Sequence, residues 1–351
     1  MAEVYLDMYD YIIVTHIPAF YKVNLYNELA KKLNILVVFI ASNTAEKRAD
    51  DFVTFDSATF KYEVLFDGNF QDRDIISNIK KLKTILKNNQ YKRLLVSGWD
   101  LKEFWYLVML CPKSKNCLAL ESTILESTPK GFKGWVKKVF LFRISTVFAS
   151  GNLHVKLLKA LSFKGDIKIT KGVGIINKPA FEKKQRVYRK RFLFVGRLTR
   201  VKNLETLIKV FNELPNYHLT LIGDGEEKEY LQSIANQNIS FKPPIENSKL
   251  QIEFLNHDIF ILPSISEPWG LVVEEALYFG MPVMVSENCG ASELVKNGEN
   301  GFIFNPLDVE GIKNLILSID DFVFKRLIQG VSEFSTDEKD LKQVYSYAIV
   351  E

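Results

Sequence analysis

Cysteine is nearly absent from this chain. Its three residues, Cys111, Cys117 and Cys289, are odd in number and lack metal-ligand spacing. That argues against a disulfide framework and for a reducing compartment. No apolar run reaches the roughly 18 residues that a spanning helix needs, so none is expected. The opening segment carries early acids and no basic stretch, which predicts no signal peptide and a cytoplasmic protein. The C-terminal half has no carboxylate cluster resembling a Mg²⁺ cage, so no metal and no bound cofactor is expected. The one DxD-like triplet, Asp72-Arg73-Asp74, opens a lysine-rich helical stretch and reads as a helix start, where acids favour the dipole. The basic residues show no nucleic-acid docking motif.

What is present suits a soluble protein of two domains: 351 residues, 47% hydrophobic and 25% charged. The net charge of +4 hides an asymmetry. Residues 1–177 hold 26 Lys and Arg against 17 Asp and Glu; the remainder holds 20 against 25. A basic first half and an acidic second half imply different partners.

Short β-branched runs alternate with helical spacing throughout. Tyr11 to Thr15, Ile35 to Ile40, Arg93 to Ser97, Cys117 to Leu120 and Val147 to Ser150 read as buried strands, with helices between them. The polar segment 178–191 reads as an interdomain linker. The alternation then resumes at Phe192, His218, Ile239, Asp258 and Met281 and extends to residue 334. Ser335 to Val350 reads as a final amphipathic helix, so the last segment is 335–351. The expected fold class is α/β, with two parallel sheets and ligands at the carboxyl ends of the strands. Loops at His16, Gly98, Glu121, Gly196, Gly223 and Glu267 all lie at such ends, which predicts two half-sites facing a cleft.

The densest signal is Ser266 to Gly280. Glu267 and Glu275 flank Pro268-Trp269-Gly270 and the start of an apolar helix. A helix N-terminus suits phosphate, while carboxylates suit hydroxyls. A nucleotide sugar carries both. Glu274 reads as a solvated helix residue, Cys289 as a bystander thiol, and Trp269 could simply wall the pocket.

Four motifs occur in order: Val195-Gly196-Arg197-Leu198 before Lys202-Asn203; Gly223-Asp224-Gly225; Glu267 to Ala276; and Gly290-Ala291-Ser292-Glu293 with Gly298 and Gly301. Together they resemble the retaining family-4 glycosyltransferases, strongly over residues 190–320. The match is moderate over 145–175, through Gly151, His154, Leu161 and Gly172-Val173-Gly174. The resemblance implies the GT-B architecture of two Rossmann-like domains: 1–177 for the acceptor and 192–334 for the donor. It implies that Arg197 and Lys202 bind the donor diphosphate, Glu275 accepts from the ribose hydroxyls, and Glu267 faces the donor sugar. Gly196 and the backbone of Trp269, Gly270 and Leu271 would complete the donor site. The chemistry agrees with these roles: a departing nucleoside diphosphate needs fixed cations, and an arginine fork with a lysine point charge supplies them.

The first half departs from the family pattern. His16 stands in a loop where many members are glycine-rich, and Glu121 stands where many have histidine. Either could contact the transferred sugar or the acceptor hydroxyl; an ordinary polar loop residue is the alternative for His16. Residues 129–143 interleave five Lys and Arg with Phe132, Trp135, Phe140 and Phe142. They suit a peripheral anionic membrane surface, or a solvated helix packed by its aromatic side. The resulting expectation is a UDP-sugar-dependent, metal-independent transferase acting on a saccharide or lipid-linked glycan in bacterial surface polysaccharide or lipopolysaccharide synthesis. The rivals are an epimerase, a glycoside phosphorylase, or a catalytically silent binding subunit.

Overall fold

The computed structural model describes residues 8–46, 48–182 and 185–348. The acidic start, positions 183–184 of the linker and the end of the predicted last helix lie outside them. The chain divides into two compact units. The first takes Met1–Lys47, Phe52–Ile175 and Asp340–Glu351, and the second takes Arg48–Asp51 and Ile176–Lys339.

In the first unit, strands β1 (Tyr9–Thr15), β2 (Ile35–Phe39), β3 (Lys61–Val64), β4 (Tyr91–Val96), β5 (Asn116–Leu120), β6 (Thr146–Ala149) and β7 (Asp166–Ile169) form one sheet. Their order is β3-β2-β1-β4-β5-β6-β7 and every pairing is parallel. Helices α1 (Phe20–Ala30), α2 (Ile75–Asn88), α3 (Lys102–Leu110), α4 (Gly131–Phe142) and α5 (Asn152–Ala160) connect them. Parallel strands are covered on both faces, and the sequence shows it. Ile12 and Val14 enter one apolar cluster, while Tyr11 and Ile13 enter the other. Asp74 caps α2, its carboxylate accepting from the amides of Ile76 and Ser77, so the acidic triplet is indeed a helix start.

The second unit repeats the scheme. Strands β8 (Arg191–Val195), β9 (His218–Ile222), β10 (Ile239–Lys242), β11 (Ile259–Leu262), β12 (Val283–Ser286) and β13 (Gly301–Phe304) run in the order β10-β9-β8-β11-β12-β13, all parallel. The helices are α6 (Leu204–Asn212), α7 (Lys228–Ile234), α8 (Leu250–Asn256), α9 (Leu271–Tyr278), α10 (Val309–Leu317) and α11 (Asp321–Ser332). The polar stretch read as a linker is fastened to this unit: the Arg186 guanidinium donates to the carbonyls of Phe254, His257 and Phe279. The last helix, α12 (Thr336–Ser346), begins in the second unit and ends in the first. Within the first unit, the Tyr347 ring that follows it stacks on Phe148 at 4.2 Å.

Each sheet has a point where the chain reverses its direction of winding, between β1 and β4 and between β8 and β11. Loops leaving adjacent strands diverge there and leave a crevice for ligands.

Candidate active site

The second sheet's switch point brings together the residues singled out by motif. After β8 the chain passes Gly196 and the exposed Arg197 and enters a single 3-10 turn, Arg200–Lys202. The carbonyl of Val201 accepts from the amide of Ile265, at 2.9 Å, in the loop after β11. That bond draws the two loops together, and the Lys202 ammonium forms an ion pair with the Glu267 carboxylate. Their side chains are only 14% and 16% exposed, so the pair is well shielded from screening. Leu198 is held by the carbonyl of Asp224 at 2.9 Å, giving the Gly223-Asp224-Gly225 turn a supporting role beneath the Arg197 loop.

The Glu267 loop is clamped on its other side. Glu267 donates its amide to Asn288 and accepts from Gly290, and Trp269 accepts from Ala291 at 2.8 Å. Gly290 is required by this approach, because a Cβ there would lie 2.1 Å from the Pro268 carbonyl oxygen. Gly270 precedes α9 with φ of +90°, a conformation that side chains rarely adopt. It turns the chain into α9 next to the Glu267 side chain, whose Cγ lies 3.3 Å from where a Cβ on Gly270 would stand, and no side chain caps the start of the helix. Around the same loops, the buried hydroxyls of Thr199, Ser264 and Ser266 have no hydrogen-bond partner. Unpaired buried polar groups are costly, and they concentrate where a polar ligand completes them.

Glu275 lies one turn into α9 and is buried. Its carboxylate accepts from Asn247 Nδ2 at 2.7 Å, and the Asn247 side-chain oxygen accepts from Asn177 at 2.7 Å. Asp51 fixes the turn that carries Asn247, accepting from the amides of Asn247 and Ser248 at 3.0 Å each. Burial pushes the Glu275 carboxyl up to about 7; the Asn247 hydrogen bond works against that rise, and the charges of Glu274 and Asp51 add to it. Asn247, Asn177 and Asp51 escaped sequence reasoning, because nothing local marks an asparagine that meets a helix from another element.

Glu274 corrects the sequence reading. It is fully buried, not solvated, and its carboxylate accepts from Trp269 Nε1 and Lys339 Nζ, both at 2.5 Å. The cause is its partners: an indole and an ammonium from α12 replace water. Trp269 is 2% exposed, so any ligand contact falls to its backbone. Cys289 is also buried and donates to the Trp269 carbonyl at 2.9 Å; burial holds its thiol far above the usual range, consistent with a bystander.

The first sheet's switch point holds His16, whose Nε2 lies 2.9 Å from Asp100 Oδ2 while its ring packs against Phe104 and Phe70. Burial opposes the charge on Asp100, but the hydrogen bond and charge of His16 leave its carboxyl below the usual range. The hydroxyl of Ser97, at the end of β4, is buried without a partner. Glu121 has the partner that the sequence did not reveal: the buried Lys22 ammonium from α1. Burial disfavours that ammonium, and the Glu121 carboxylate more than compensates, raising Lys22 above its ordinary range. His154, part of the family pattern, is fully buried, and burial lowers its ring to about 4. His16 and Glu121 thus each belong to a separate side-chain pair in the first unit, with Asp100 and Lys22. Among the described residues, no group of three or more His, Cys, Asp or Glu could hold a metal ion.

Residues 177–320 match the family described as glycosyl transferases group 1. The sulfoquinovosyl transferase of Arabidopsis thaliana is 32% identical over 153 residues, which are 42% of this chain and 30% of that protein. A lipopolysaccharide core biosynthesis glycosyltransferase of Rhizobium meliloti is 30% identical over 36% of this chain and 38% of its own length. The chain thus spans about a third of the length of these curated relatives. Anabaena HepE, solved in complex with UDP and glucose, superposes with a TM-score of 0.69 at 16% identity, covering 95% of this chain and 97% of that one. The fold is the two-sheet GT-B architecture that HepE shares, and the match to the glycosyl transferases group 1 family spans residues 177–320, the segment that holds the Lys202–Glu267 pair.

Proposed function

We propose that this protein is a retaining, family-4 glycosyltransferase. It moves a sugar from a nucleotide sugar, a UDP-sugar first among them, to a saccharide or lipid-linked glycan in bacterial surface polysaccharide or lipopolysaccharide synthesis. The observation that carries this reading is the shielded Lys202–Glu267 pair at the second switch point, beside the open start of α9 and three unsatisfied hydroxyls. The Rhizobium relative supports the surface-glycan role, and the UDP complex of HepE supports the donor class.

Breaking the anomeric C–O bond sends its electron pair to the departing diphosphate. Lys202, Arg197 and the N–H groups of α9 are the fixed positive charge that receives it, so this account needs no metal. Glu275 accepts from the ribose hydroxyls, with Asn247 holding its other oxygen. Glu267 orients Lys202 and faces the sugar. Two carboxylates near one another usually suggest an acid/base pair, but one here is committed to an ammonium and the other to the nucleotide. Retention follows if the acceptor hydroxyl attacks on the face the diphosphate leaves, with the leaving phosphate taking its proton. The basic first unit holds the acceptor, and His16 or Glu121 meets its hydroxyl or the transferred sugar. The protein would act in the cytoplasm, peripheral on the inner face of the cytoplasmic membrane. The test is a panel of UDP-, GDP- and ADP-sugars measured for binding and slow hydrolysis. A donor that is bound and hydrolysed supports the reading; donor epimerised without acceptor, or tight binding without turnover in any acceptor extract, contradicts it.

A further inference from the structure

Helix α4 is apolar on two opposite sides. Gly134, Phe140 and Leu141 are buried, Phe140 and Leu141 in the core of the first sheet. Phe132, Trp135 and Phe142 are 77%, 59% and 72% exposed. At roughly 100° per residue these three and the half-buried Val139 fall within about 80° of one another, on the side facing away from the core. The stripe therefore runs the length of the helix as one ridge. The rings of Phe132 and Trp135 stack at 5.8 Å, and Lys113 lies over Phe142 at 5.3 Å. The Arg143 guanidinium donates to the carbonyls of Met109 and Cys111, tying the end of α3 to the end of α4. Met109 and Leu110, 43% and 49% exposed, thus extend the surface around Phe142. Packing by the aromatic side, the alternative open from sequence, does not hold for these three rings: only Phe140 packs inward.

Single exposed apolar residues are ordinary, but a contiguous ridge of aromatic rings is not. Basic residues dominate the chain on and around it, between Glu126 and Asp166. Residues 127–165 contain eight Lys and Arg and no Asp or Glu, and Lys130, Lys133 and Lys138 on or beside the helix are exposed. We propose that the outer face of α4, with the end of α3, seats the protein on an anionic lipid bilayer. Phe132, Trp135 and Phe142 would enter the headgroup boundary and the lysines would meet lipid phosphates. A second copy of this chain fits poorly, because two such faces would bring like charges together around the ridge. The seat has a consequence for substrate class. Helix α4 follows β5 and starts from the carboxyl edge of the first sheet, where Lys137 lies over the Trp99 ring at 5.7 Å. A sugar carried on a lipid would thus arrive at the edge that holds His16, Asp100 and Glu121. This deepens the glycosyltransferase reading by choosing a lipid-linked acceptor, yet bilayer binding itself involves no step of transfer, so either can fail without the other.

The test uses the full chain with vesicles of phosphatidylcholine containing about 30% phosphatidylglycerol, against phosphatidylcholine alone. Flotation should recover the protein with the anionic vesicles, and tryptophan emission should shift to the blue. F132S/F142S keeps Trp135 and alters only exposed positions. It should lower partitioning by at least about tenfold while leaving the melting temperature and donor hydrolysis unchanged. K133E/K138E should bind weakly even at about 0.01 M salt, where screening is small and wild-type binding is strong. Five results would overturn the proposal: no flotation; flotation indifferent to lipid charge; undiminished flotation of F132S/F142S; quenching by a single-stranded oligonucleotide with no vesicle binding; or dimerisation lost in F132S/F142S with no vesicle binding.

Discussion

Replacing Lys202 by methionine separates the electrostatic role of the pair from its structural one. The lysine side chain is 14% exposed and that of Glu267 16%. Removing one partner of a fully buried pair costs about 3–5 kcal/mol. Allowing for the remaining solvent at this site, K202M should lose about 1–3 kcal/mol, because Glu267 is left charged and poorly solvated. The double variant K202M/E267Q removes the stranded charge and should recover most of that loss. Activity should follow neither change in stability. Loss of one preorganised group aimed at transition-state charge costs about 3–4 kcal/mol of barrier, or roughly a hundred- to a thousandfold in kcat. Both variants should show that fall, with donor affinity changed much less. Denaturant titration gives the stabilities, calorimetry with intact nucleotide sugar gives the affinities, and initial rates give kcat. An unchanged kcat in K202M, or a kcat restored in K202M/E267Q, would refute the assignment of Lys202 to the departing diphosphate.

Three further outcomes are expected. Because burial raises the Glu275 carboxyl to about 7, its contribution to stability is present in full below its unfolded value near 4.5 and is lost as pH rises through about 7; E275Q should flatten that slope, and affinity for an intact nucleotide sugar should rise through the same pH range in wild type but not in E275Q. K339M leaves Glu274 charged, fully buried and without its ammonium, so thermal or denaturant melting should show a loss of about 3–5 kcal/mol; a loss below about 1 kcal/mol would mean that α12 does not brace α9. Excess chelator should leave turnover unchanged, and strict dependence on an added divalent cation would contradict the cation-plus-helix account.

The fold was legible where strands are buried on both faces. Ile12 to Val14, Phe192 to Phe194 and Ile259 to Leu262 are continuous apolar runs because helices cover both sides of each sheet. The edge strands β3, β7 and β13 escaped detection. Lys61–Val64 and Asp166–Ile169 are largely exposed, and Gly301–Phe304 buries fully only its two ends, so none makes an apolar run. The site divides in the same way. Arg197, Lys202, Glu267 and Glu275 lie in local motifs. Their environment does not: Asn247 reaches Glu275 from the turn before α8, Lys339 reaches Glu274 from α12, Lys22 reaches Glu121 from α1, and Asp100 reaches His16 from the loop after β4. Glu274 and Glu275 show what that hides. Adjacent acids on a short helix read as one inside and one outside, yet both are buried because distant side chains supply their hydrogen bonds.

The central claim is glycosyl transfer from a nucleotide sugar with retention at a site built on Lys202 and Glu267. Proton NMR of the first sugar released during slow hydrolysis tests it without any knowledge of the acceptor. An α-linked donor such as UDP-glucose should yield the α-anomer first, at a rate that collapses in K202M. Initial release of the β-anomer, or no release from any nucleotide sugar in the panel, would contradict it.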